Sequence, residues 1–279
     1  MNIHFGLSVS ALKWIALICM LLDHIAYIFN FTGHIPVWFS MFGRLSAPLF
    51  LFCLSEGFAH TRNRRRYFLR IYLVSIIMSA ILFVMRFAGL GVRADGFYPE
   101  NGILTLFALL LIIWQGMDWL REKRLLPGLL AICLPLLWPF VMGRLLSFFP
   151  QLNLTLGVLC YSILPTWGLL GDTSLPILIV GLLMYPLRSR RKLQAAAFAI
   201  VTVLYHFVLV FFALSGTPGF APAQMFTVYF EWMGAFASLL MLCYNGQRGS
   251  GPKALFYGFY PMHIYLLHAL SCLLFSTFS

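Results

Sequence analysis

Charge is what this chain has least of. Of its 279 residues only 10% are Asp, Glu, Lys or Arg, where an ordinary soluble domain has about a quarter, so a water-facing surface cannot be built and a soluble fold of this size is excluded. Acids are scarcer still, 8 against 19 Lys and Arg. In a soluble protein the formal +11 would point to nucleic acid. In a chain that is 61% hydrophobic it reads as topology charge collected in inner loops, and no nucleic-acid partner is expected. The six cysteines sit in apolar stretches without CxxC spacing, which removes a zinc site, a redox pair and a disulfide scaffold; no metal is expected. The first twelve residues hold no Lys or Arg, and no small-residue cleavage site follows the first apolar run, so that run is expected to remain as a helix rather than leave as a signal peptide. No internal repeat or long linker divides the chain, which reads as one domain over residues 1–279.

Long apolar runs are what it has in abundance. A bilayer core of about 30 Å needs about 20 helical residues, and the runs exceed the roughly ten alternating residues of a barrel strand. Nine runs are candidates: 11–30, 36–59, 67–88, 101–118, 127–149, 173–187, 193–214, 224–243 and 254–276. A further stretch, 152–171, is broken by Pro165 and several glycines and is a re-entrant segment or a tenth crossing. The basic clusters RNRRR (62–66), REKR (121–124), RSRRK (188–192) and the Arg248/Lys253 loop should share one side. Nine spans from a cytoplasmic N-terminus put 15 of the 19 Lys and Arg at the inner face, with Arg86, Arg93 and Arg144 outside and Arg44 within a span. A tenth full crossing would throw RSRRK outward. The expectation is an all-α polytopic bundle of about nine spans in a bacterial inner membrane.

Ionisable side chains at bilayer depth cost several kcal/mol unless paired or hydrated, which makes each a functional candidate. On that topology Asp23, His24, Arg44, His206, Glu231 and His268 fall roughly 10 to 13 Å below the outer face, with His263 nearer the midplane. Structural ion pairs among Asp23, Arg44 and Glu231 and satisfied core histidines explain any one of these, but packing has no reason to gather them in one plane. His24 is singled out by its spacing. It follows Lys13 by eleven residues, about 20° past three turns with a rise of about 16 Å, so the two share a helix face with Ala16, Leu17 and Met20 between them. A long molecule with an anionic head and a reactive tip, such as an acyl-coenzyme A, fits that face. Asp23 points about 100° away from His24, and Arg44 is its best partner by depth. The first candidate to orient His24 as a base is then Glu231. Arg66 and Arg70 stack four apart on one helix and suit a phosphate.

These residues lie in runs that resemble the TraX family, the F-pilin acetylases, related to a wider group of membrane acyltransferases. The runs are LKWIALICMLLDHIAYIF (12–29), GRLSAPLFLFCLSEGFAHTRNRRRYFLRI (43–71), NGILTLFALLL (101–111), YNGQRG (244–249) and KALFYGFYPMHIYLL (253–267). Residues 112–223 carry little of the likeness. The resemblance implies an integral membrane acetyltransferase with acetyl-coenzyme A as donor and a pilin N-terminus, a glycan or a lipid as acceptor. The wider group has a basic residue and a histidine with ten residues between them in the first helix, which Lys13 and His24 match. Its Arg-x-x-Arg appears here as Arg66-x-x-x-Arg70, one residue longer. The expected roles are His24 as base or acetyl carrier, Arg44, Tyr260 and His263 as oxyanion donors, and Lys13, Arg66 and Arg70 as the grip on the donor phosphates. The alternative is a proton-coupled transporter using the same layer of acids and histidines. A purely structural assembly factor is the third reading, one in which His24 is dispensable.

Overall fold

The computed structural model describes residues 6–100, 102–164, 167 and 174–278. The helices are α1 (Val9–Ile28), α2 (Trp38–Gly43), α3 (Ser46–His60), α4 (Arg64–Ala88), α5 (Ile103–Arg121), α6 (Leu125–Phe148), α7 (Asn153–Val158), α8 (Ser174–Met184), α9 (Arg191–Val203), α10 (Val210–Leu214), α11 (Gln224–Thr227), α12 (Ala237–Leu242) and α13 (Lys253–Phe278). A π-helical turn, Leu204–Leu209, joins α9 to α10, and a 3₁₀ segment, Glu231–Phe236, leads into α12. Among the described residues there is no strand, only one isolated bridge between Leu7 and Tyr244.

Seven helices are long and apolar enough to cross a bilayer, with α2 and α3 forming one of them (Trp38–His60) and α9, the π turn and α10 another (Arg191–Leu214). The protein is therefore a multi-pass helical membrane protein. The runs at 173–187 and 224–243 correspond to shorter apolar helices, Leu175–Met184 and Glu231–Leu242, too short to bridge about 30 Å at 1.5 Å per residue. Within 152–171 the chain forms α7 and a π turn, Leu159–Ile163, then turns extended at Leu164. Residues 165–166 and 168–171 of that stretch lie outside the described residues.

The chain gathers into two compact units, Met1–Ala59 with Leu183–Ser279, and His60–Leu182. In the first unit the start of α1 is held by the loop after α12. Helix-initial amides need acceptors. Ser8 Oγ takes Ala11 N, while the amides of Val9 and Ser10 donate to the carbonyls of Gln247 and Arg248 at 2.9 and 3.1 Å. Leu7 and the 243–245 backbone exchange two further bonds, Leu7 N to Cys243 O (2.8 Å) and Asn245 N to Leu7 O (3.0 Å). The YNGQRG run is thus a cap for α1. Beside it Arg191 donates from Nη1 to Tyr244 O at 3.0 Å, lies 4.2 Å over the Tyr244 ring, and reaches Glu56 at 3.8 Å. Glu56 is only 4% exposed, so one member of the RSRRK run neutralises an interior carboxylate rather than serving topology alone. Burial, then the Glu56 carboxylate, push the Tyr244 phenol up to about 12, which keeps it protonated.

Glycine decides how closely α2 approaches α1. A Cβ at Gly43 would overlap the side chain of Asp23. Gly43→Ala should therefore lower stability by about 1–3 kcal/mol through overpacking, read as an earlier thermal unfolding midpoint in detergent. An unchanged midpoint would show that the interface can open at no cost.

In the second unit α5 packs between α4 and α6. Gly116 of α5 and Gly128 of α6 face each other so closely that a Cβ on Gly116 would come within 2.9 Å of the Gly128 carbonyl, the small-residue contact by which membrane helices approach. Ser75 and Ser79 of α4 meet Thr105 of α5 at 3.0 and 3.3 Å, and Arg64 pairs with Asp118 at 2.8 Å and Gln115 at 3.1 Å. Polar groups that lack water are matched in pairs across this interface.

Candidate active site

The first unit brings α1 against α13 along the face that carries Lys13 and His24. Lys13 Nζ lies 5.4 Å over the Phe256 ring. His24 meets His263, seven residues further along α13, with ring centroids 4.8 Å apart at 65° and Nδ1 of His24 3.0 Å from Nε2 of His263. Lysine and imidazole therefore do share an inward face, as eleven helical steps require. The strip between them is core: Ala16, Leu17 and Met20 are 0%, 6% and 6% exposed. An arm reaching the imidazole from the lysine has to pass beside this strip, because the strip itself is filled by protein.

Each imidazole is tied to its own helix. His24 Nδ1 lies 3.0 Å from the Met20 carbonyl and His263 Nδ1 lies 2.7 Å from that of Phe259, both four residues back. Phe259 also stacks on His263, centroids 4.7 Å apart and planes 14° apart. Pro261, inside α13, has no amide proton, so the carbonyl of Tyr257 has no amide to accept from at the i+4 position. Tyr260 flanks the pair, its ring 6.4 Å from His24 and 6.0 Å from His263, and it is 9% exposed.

Asp23 turns away from His24 to Arg44, the partner its depth selects, at 2.7 Å. Arg44 donates from Nε to Ser40 O at 3.1 Å, lies 5.8 Å over Phe230, and has Nη1 4.0 Å from Glu231 Oε1. With Nε on Ser40 and Nη2 on Asp23, Nη1 is the nitrogen that faces the Glu231 carboxylate. Glu231 thus stands at the arginine, and the side chain hydrogen-bonded to His24 is His263, which differs from the orienting role that depth gave to Glu231. The reason is geometric: depth sorts residues along the bilayer normal and says nothing about which helix faces meet. His206 lies on the π turn of the α9–α10 span, a local widening of the helix that recurs at functional sites. His268, expected in the same layer, turns to Cys272 on its own helix, with Nε2 3.7 Å from Sγ, and is 4% exposed.

Arg66 and Arg70 belong to the second unit, where both are exposed on α4 and the backbone amide of Arg66 is capped by Asn63 Oδ1 at 2.9 Å. Sequence reasoning missed the direct His24–His263 contact and the Glu56–Arg191–Tyr244 cluster. For the first, a signal was present, since Phe256 and His263 are seven apart and share a face of α13 just as Lys13 and His24 share one of α1. For the second there was none, because its three residues come from three distant segments.

Fold and site together define a multi-pass helical membrane protein with a paired-imidazole centre beside an intramembrane acid–arginine pair. The family model described as TraX protein matches residues 8–271, and the chain belongs to that family, which is associated with pilus assembly and F-pilin acetylation. Over 77 residues the chain is 43% identical to a protein of Dichelobacter nodosus described as probable fimbrial assembly protein FimC, serogroup H1. That match takes in 27% of this chain and spans 31% of the relative's length. No solved structure matches.

Proposed function

We propose that this protein is an integral membrane acetyltransferase that moves an acetyl group from acetyl-coenzyme A to an amine or hydroxyl acceptor on the far side of a bacterial inner membrane, with its N-terminus in the cytoplasm. The acceptor is a pilin N-terminus, a glycan or a lipid headgroup. The observation that carries the reading is the inward face of α1, which holds a cation at one end and a hydrogen-bonded imidazole at the other, in a chain of the TraX family. Lys13 attracts the anionic head of the donor, and His24 receives the thioester end.

His24 acts as general base. The acceptor's N–H or O–H gives its proton to the imidazole as its lone pair attacks the thioester carbonyl. The C–S bond then breaks, and the coenzyme A thiolate leaves with the proton returned by the imidazolium. Negative charge develops on the carbonyl oxygen at the tetrahedral stage, and Arg44 Nη1 and the Tyr260 hydroxyl are the donors suited to it. In the second unit, the exposed Arg66 and Arg70 form a guanidinium pair suited to phosphate.

The test is calorimetric titration with coenzyme A followed by transfer of isotope-labelled acetyl from acetyl-coenzyme A in nanodiscs. Lys13→Ala should weaken coenzyme A binding roughly tenfold, as expected for one charge-assisted contact, with kcat little changed. Alanine at both Arg66 and Arg70 should weaken binding as well if that pair also grips phosphate. Absence of coenzyme A binding, together with substrate flux in liposomes, would replace the enzyme with a transporter.

A further inference from the structure

Two backbone carbonyls decide where the protons of the paired imidazoles sit. A carbonyl oxygen only accepts. The 2.7 Å contact from His263 Nδ1 to Phe259 O therefore requires a proton on that nitrogen, and in the neutral ring Nε2 is bare. His24 Nδ1 then faces two acceptors, His263 Nε2 at 3.0 Å and Met20 O at 3.0 Å, and must itself carry a proton. What remains is Nε2 of His24, with its lone pair outside this chain of bonds. The order is Phe259 O, H–Nδ1 of His263, Nε2 of His263, H–Nδ1 of His24, and last the bare Nε2 of His24. The ring of His263 is also fixed in plane by the Phe259 stack, so its acceptor nitrogen cannot swing away from His24 without losing that contact.

We propose that His263 is the positioning residue of His24. Together with the Met20 carbonyl it holds the ring in the Nδ1-protonated tautomer; it also presents the Nε2 lone pair to the acceptor and accepts the stronger hydrogen bond that Nδ1 donates once His24 has become an imidazolium. This deepens the acetyltransferase reading and rests on it for its chemical meaning. The arrangement does with a neutral imidazole what a carboxylate does in a Ser-His-Asp triad. Among the described residues, Tyr260 of α13 and Arg44, paired with Asp23, are further ionisable groups near His24. The carboxylate of that pair bonds Arg44 and so does not serve the imidazole.

The test uses the full-length protein in nanodiscs, labelled with ¹⁵N-histidine, with His24 and His263 assigned from the variants that remove them. Expected in the native protein are protonated Nδ1 and bare Nε2 on both rings, with a scalar coupling between His24 Nδ1 and His263 Nε2 across the hydrogen bond. His263→Ala should lower kcat roughly 10²-fold with KM nearly unchanged. His263→Gln, whose carbonyl oxygen can accept from His24 Nδ1, should recover at least about tenfold of that loss. A protonated Nε2 on His24 in the native protein overturns the proposal. So does a His263→Ala enzyme with native kcat, or a glutamine variant no better than alanine. If the native protein transfers no acetyl group yet shows the two tautomers and the coupling, the acetyltransferase reading falls while the pairing of the imidazoles stands.

Discussion

Alanine at position 24 should reduce acetyl transfer by about 10²–10⁴-fold, the range a positioned general base contributes. Coenzyme A affinity should stay within about twofold, since the imidazole acts on the reacting carbon and the acceptor rather than on the donor's phosphates. His24 lies three turns from the lysine proposed to take the donor's head, and its ring is half-buried and hydrogen-bonded to a second histidine. Removing it deletes the proton acceptor without touching Lys13 or its Phe256 contact. Single-turnover kinetics with labelled donor, beside a binding titration, separate the two effects. Full activity in His24→Ala would leave the histidine as packing and return the protein to the assembly-factor reading.

The second large effect is on stability. Arg44→Ala should destabilise the protein by about 3 kcal/mol, the low end for breaking a buried pair, because each side chain retains 27% exposure. Asp23 then stands at bilayer depth with its 2.7 Å partner gone and must either hold an unpaired charge or take up a proton, and both cost stability. Glu231, at 4.0 Å from the same guanidinium, loses its neighbour as well. Removing the charge at both ends, as in Asp23→Asn with Arg44→Met, should recover more than half of the loss, since the penalty lies in the orphaned ion rather than in the absence of the pair. Thermal unfolding in one detergent checks both variants. A single variant as stable as the native protein would mean that water already solvates Asp23.

Several features are legible in the sequence alone. Nine apolar runs located every long helix, and composition excluded a soluble fold. The Lys13–His24 register placed both side chains on one face, and both do turn toward α13. Asp23 was assigned to Arg44 by depth and by the 100° step from His24, and it lies there. Other features were not legible. Hydropathy could not distinguish a full crossing from the shorter helices Leu175–Met184 and Glu231–Leu242, because a window average rewards apolar residues whether or not the helix continues through them. Arg191 looked like topology charge because positive-inside bias and a buried ion pair use the same residue type.

What the sequence by itself determined about this protein is the solvent it folds in, the helices it folds into and the face on which Lys13 and His24 sit. These follow from hydrophobic run length and from the 100° helical step, both of which are local properties of a chain. Only the tertiary structure decided that His24 is bonded to His263, that Glu231 stands at Arg44, and that Ala16, Leu17 and Met20 are core. Those contacts join residues as many as 239 positions apart, and they are fixed by which helix faces pack together, a choice in which side-chain shapes from the whole unit take part at once.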